Sequence, residues 1–260
     1  VMFSIFNKEP ILDELRVAWL FDTYGWALRN FDGELFQNET ILVTPSNEHF
    51  PGRVDSVHGM AELIFEQVKA FAGVKHWPTR LVDQYQCSTV EPPQLVIEGA
   101  LRGPAGVTPT GISEEQYLTV LYDPNQINNP EGMIATYAHI IAHYLASMSP
   151  EPPPGGEDFW AQATEVLAVF MGFGLMFANS AYNFRGGCGS CYNANAQRSA
   201  HLSQDEVTYA LAIFAELKQL SAKTVLSHLK KPLRSVFKRA SREVAEKRPF
   251  LQQAIEQIAE

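Results

Sequence analysis

Downstream of Asn128-Asn129-Pro130 the chain loses almost every strand signal, and that change of texture is what most restricts its fold. From Met133 onward, apolar residues recur at the three- and four-residue spacing of helices that bury one face. Upstream, between Thr79 and Asp123, the pattern is different. Short apolar runs, Leu95-Val96-Ile97 and Tyr117 to Tyr122, alternate with Pro93, Gly103, Pro104, Gly106, Pro109 and Gly111. These predict a small sheet with at least one hairpin. The expected class is therefore α+β. A small mixed or antiparallel sheet with helices occupies the N-terminal part, 1–129, and a helical part follows over 130–260, the two forming one continuous globular unit.

Individual elements carry start and stop signals. The periodic stretch from Ile11 to Trp26 predicts a helix starting near Pro10, and Ile41-Leu42-Val43 reads as a short strand that stops at Pro45. Met60, Leu63, Ile64, Val68 and Phe71 predict a helix from about Asp55 to Ala72, ended by Gly73. A helix from Met133 to Met148 runs into the stiff connector Ser149-Pro150-Glu151-Pro152-Pro153-Pro154-Gly155-Gly156, and another is expected from about Asp158 to Ala178. Ser203 followed by Glu206 is a capping box for a further helix, and Pro232 and Pro249 mark kinks or breaks beyond it.

With 260 residues, 46% of them apolar, the chain can bury a large core. No apolar run reaches the about eighteen residues of a membrane span. Val166 to Ala178 comes nearest but is interrupted by Gly172 and Gly174, so it reads as a buried core helix and no transmembrane segment is expected. Val1 to Pro10 lacks the basic and apolar segments of a secretory leader. Three cysteines, Cys87, Cys188 and Cys191, cannot build a disulfide framework, which fits a cytoplasmic location.

The net charge of −9 is unevenly spread. Nine basic residues against Glu243 and Glu246 give +7 between Lys223 and Arg248, leaving −16 elsewhere. There Val225, Leu226, Leu229, Leu233, Val236, Phe237, Ala240 and Val244 form an amphipathic stripe, whose default role is packing on the protein's own core. As an interaction module, this basic helix would face acidic partners. The lack of interleaved aromatic residues argues against nucleic acid.

The chemical signal is Ala138-His139-Ile140-Ile141-Ala142-His143. Residues four apart on a helix project from one face, about 40° apart, and two such imidazoles can share a metal ion. A third donor is expected from Glu165 on the following helix, the only acid between Phe159 and Ser180, because a carboxylate in apolar company is costly to bury unpartnered. His139, His143 and Glu165 are thus the candidate metal ligands, with zinc as the cofactor. No catalytic residue is assigned, since Ile140 follows the first His and an alkyl chain carries no proton. Cys188-Gly189-Ser190-Cys191 is a second, isolated pair of thiols that His201 or Cys87 could join only by folding together.

From Thr136 to Ala178 the chain resembles the zincin metallopeptidases of the Glu-ligand kind, in which a mixed sheet and a helix precede an H-E-x-x-H helix. The resemblance implies zinc held by His139 and His143, and peptide hydrolysis with a Glu after the first His as base. Here Ile140 stands at that position. Aligned on the family's E-x-x-x-D second helix, Ala161 falls at the ligand position and Glu165 at the supporting one. The expectation is a zincin-like protein without efficient peptidase activity, with a scaffold or binding role toward a peptide or protein partner. A zinc-dependent hydrolase using another base, and an interaction module built on the basic helix, are the alternatives.

Overall fold

A computed structural model describes residues 9–86, 94–180, 200–247 and 249 of the chain. Helix α1 (Glu14–Asn30) begins at Glu14 rather than near Pro10, because Asp13 supplies the cap: its carboxylate accepts the Arg16 amide at 2.9 Å. A short α2 (Gly33–Asn38) follows. Helix α3 (Val57–Ala72) runs between the Ser56 cap and Gly73, whose left-handed φ of 76° ends it where the spacing predicts.

The region expected to form a sheet holds two separate strand pairs. β1 (Thr79–Asp83) lies parallel to β4 (Leu118–Tyr122), in register from Thr79 opposite Leu118 to Asp83 opposite Tyr122. Between them in sequence, β2 (Glu98–Gly99) and β3 (Gly106–Val107) make a short antiparallel pair. The Leu95-Val96-Ile97 run precedes β2 without entering a ladder.

Helix α4 (Pro130–Ser147) starts on an Asn129 cap with Pro130 in its first turn, where the missing N–H costs nothing. It is the central helix, packed on α3 and on both halves of the apolar stretch that follows. That stretch departs from the single helix expected over Asp158 to Ala178. It divides into α5 (Trp160–Ala168), a wide turn over Val169–Phe173 and α6 (Gly174–Ser180). Gly172 sits at φ 101°, and a β-carbon there would lie 2.1 Å from the Ile41 carbonyl oxygen. The Ile41-Leu42-Val43 segment, expected as a strand, joins no strand. It lies against this turn, and the Val43 amide donates to the Gly172 carbonyl at 3.0 Å.

By length and composition, Gly156–Ser180 is the one stretch among the described residues able to cross a membrane, yet 89% of its apolar window is buried inside the protein. Helix α7 (Gln204–Leu217) carries the expected capping box, Ser203 with Glu206. Pro232 then separates α8 (Ala222–His228) from α9 (Leu233–Glu246). Against α7, α9 buries Leu233, Phe237, Ala240 and Val244, each large side chain contributing about 1.5–3 kcal/mol. One hydrophobic cluster contains Val17 and Val244 and spans both sequence halves.

Polar groups fasten this core at two places. Arg102, 1% exposed, donates from Nε to the Ala72 carbonyl at 2.9 Å and from Nη1 to the Phe31 carbonyl at 3.0 Å. It thereby satisfies acceptors at the C-terminal ends of α1 and α3 that no helical amide can reach. Burial lowers its pKa to about 10, with nearby Asp32 acting in the opposite sense. The proline-rich connector is held by two indoles: Trp19 donates to the Pro154 carbonyl at 2.8 Å and Trp26 to the Glu151 carbonyl at 3.0 Å.

Candidate functional site

Helix α4 is buried on nearly all sides. Between Gly132 and Ser147 only His139, His143, Tyr144 and Ser147 escape burial, so the two imidazoles lie on the single stripe where the helix meets solvent. His139 is half-buried and His143 is exposed. The His143 ring has edge-on neighbours in Tyr144, 5.4 Å between centroids, and in Trp160 of α5 at 6.5 Å. Partial loss of solvent there pulls its pKa below the usual 6.5. Ile140, between the two histidines, points the other way, into the hydrophobic core at 8% exposure. Thr136, on the histidine face by spacing, turns its hydroxyl back to the Gly132 carbonyl at 3.0 Å.

Glu165 is fully buried on α5, which packs against α4. Its carboxylate receives two backbone amides that the sequence does not advertise: His201 donates to Oε1 at 3.2 Å and Leu202 to Oε2 at 2.9 Å. This fixes the start of the α7 cap to the middle of α5. Among the described residues no three His, Cys, Asp or Glu side chains are grouped so as to hold a metal ion. Cys87, Cys188 and Cys191 lie outside the described residues. Comparison with protein-family models, curated proteins and solved structures finds no match for this chain.

On α9 the apolar stripe is spent on the core, which leaves its charges as the outward feature. Lys230 donates to the Asn179 carbonyl, Arg234 to the Leu229 carbonyl and Arg239 to the Glu9 carbonyl. Lys231, Lys238 and Arg242 are exposed.

A second group of polar side chains, absent from the sequence reading, gathers where β1 and β4 end. His58 Nδ1 lies 3.1 Å from the Tyr122 hydroxyl, and 64 residues separate the two in the chain. Neither residue belongs to a local motif. Tyr122 is nearly buried, and burial together with the charge of Asp83 raises its pKa.

Proposed function

We propose that this is a zincin-like protein whose peptidase apparatus has become structural, and that it works in the cytoplasm by binding a peptide or protein partner rather than by cutting one. Ile140 carries this reading: at the position where a zincin needs a proton carrier, the side chain is part of the hydrophobic core. Glu165 supports it. Its oxygens each accept a backbone amide, so the carboxylate that the sequence offers as a metal ligand is engaged in holding the chain just ahead of α7. The accessible stripe of α4, with His139 and His143 flanked by Tyr144, is the surface offered to a partner. Its mixed imidazole and aromatic character suits a peptide better than a highly charged polymer.

The test combines metal content with activity. The protein, purified untagged and without added metal, is expected to show no chelator-sensitive cleavage of a generic unstructured peptide. Stoichiometric zinc that disappears in His143→Ala, together with chelator-sensitive turnover in the parent protein, would overturn the proposal in favour of a hydrolase with a different base. Appearance of zinc-dependent cleavage in Ile140→Glu would show that the inherited metal geometry survives.

A further inference from the structure

A cavity of about 620 Å³ opens at the carboxyl ends of the two parallel strands, away from the signals that the sequence singles out. Its position follows from topology. Asp83 and Tyr122 are the last residues of β1 and β4 and stand opposite each other in register, so both reach the rim where parallel strands splay into their loops. The first turn of α3 adds Val57 and His58, and the turn after β1 adds Gln86. The volume lies within the range of about 300–1,000 Å³ that small-molecule sites occupy.

The polar groups have directions that restrict what can enter. His58 Nδ1 is engaged with the Tyr122 hydroxyl, which holds both rings in place. The Asp83 Oδ1 atom accepts the Tyr85 amide at 2.9 Å, fixing the carboxylate and leaving Oδ2 without a protein partner among the described residues. Among the described lining residues Asp83 is the only Asp or Glu, and none is a Lys or Arg. Val57, Leu81, Val82 and Pro124 supply apolar walls, and Val57, 44% exposed, marks an open mouth.

We propose that this cavity is a binding site for a small organic cation, an ammonium or guanidinium group on an apolar body. The cationic group pairs with Asp83, receives further orientation from the Tyr122 hydroxyl and the Gln86 amide, and lays its apolar part along Val57 and Leu81. An anion of the same shape is repelled, because among the described lining residues the fixed carboxylate is joined by no Lys or Arg and the one imidazole, His58, is engaged with the Tyr122 hydroxyl. The site is independent of the zincin reading, since none of its residues belongs to α4 or α5.

Phenethylamine, 2-phenylethanol and phenylacetate share one shape and differ in charge. Titrated into the isotope-labelled full chain and followed through backbone amide resonances, phenethylamine is expected to give saturable shifts at Asp83, Gln86 and Tyr122, and phenylacetate none. Asp83→Asn keeps an acceptor for the Tyr85 amide and so keeps the fold of the turn, but should weaken phenethylamine about tenfold. Gln86→Ala, at an exposed position, should weaken it by a smaller factor. Absence of saturable phenethylamine shifts, equal affinity for phenylacetate, or unchanged affinity in a folded Asp83→Asn variant would each overturn the proposal.

Discussion

Glu165 and Leu202, 37 residues apart in sequence, are joined by a 2.9 Å hydrogen bond from the Leu202 amide to a fully buried carboxylate. With the His201 amide on the other oxygen, this contact fixes the two residues just ahead of the α7 cap onto α5. Glu165→Ala removes both acceptors and strands two amides, and should cost about 3 kcal/mol of unfolding free energy. Glu165→Gln keeps one acceptor oxygen and should cost roughly half as much. Urea unfolding of the two variants checks the order. Equal stability of Glu165→Ala and the parent would remove the anchoring role.

Gly172 is required by a close approach. Its φ of 101° disfavours any side chain, and the nearest atom to a new β-carbon would be a backbone oxygen at 2.1 Å, which cannot swing aside. Gly172→Ala should therefore lose about 3 kcal/mol. The Val43 amide, which bonds to the Gly172 carbonyl, should exchange its hydrogen faster in the variant. An unaltered melting temperature and unaltered exchange would contradict this packing.

Arg102 spans two helix ends, and its removal leaves the Phe31 and Ala72 carbonyls buried without that donor. Arg102→Met should destabilise by about 3 kcal/mol, because apolar volume is retained but a hydrogen-bonded charge is lost. Arg102→Lys carries a shorter, single-headed cation and is expected to fall between the two. Denaturant titration of the three proteins gives the ranking. A Met variant as stable as the parent would show that the guanidinium is dispensable.

Alkaline stability depends on buried phenols. Tyr24, Tyr137 and Tyr209 have pKa values raised above the ordinary 10, each chiefly by burial. A group whose folded pKa is raised contributes its stabilisation fully below the unfolded pKa and loses it as pH climbs toward the folded value. Stability should therefore fall from about pH 10 upward. Tyr122 and Tyr144, also raised by burial, add to this trend, while Arg102, lowered to about 10, and Lys218, lowered by burial, act in the opposite sense, two groups against five. Absorbance of tyrosinate and unfolding free energy, followed together between pH 9 and 12, test this: these phenols should ionise mainly as the chain unfolds.

Local signals made much of the helical framework legible. Ser203 with Glu206 and Gly73 after α3 each act within one helical turn, so the residues that cause the structure sit beside it, whereas α4 starts at Pro130, three residues before the expected Met133. The apolar stretch around Gly172 shows where this stops. Apolar residues on both sides of the two glycines predict one helix, while the wide turn depends on a segment from Ile41 to Val43 that lies far away in the chain. The same segment shows why a β-branched run is not yet a strand: it needed a ladder partner and met a helix break instead.

The candidate site was legible to the same depth. The histidine stripe of α4 follows from a four-residue spacing, and Glu165 reads as a metal ligand on the ground that a buried carboxylate needs a partner. Its partners are backbone amides, which every residue but proline carries, so nothing in the sequence marks His201 and Leu202 as the donors. Asp83, Tyr122 and His58 meet through a parallel pairing and a helix packed beside it, both of them long-range. Composition and motif spacing carry no trace of such a meeting.

The indole contacts of Trp19 and Trp26 make the proline-rich connector observable without a label. The chain holds four tryptophans, and the emission of these two is sensitive to the polarity around the ring nitrogen. Release of the connector from α1 would expose both ring nitrogens to water and shift their emission to the red, so the molecule carries an optical gauge of that contact.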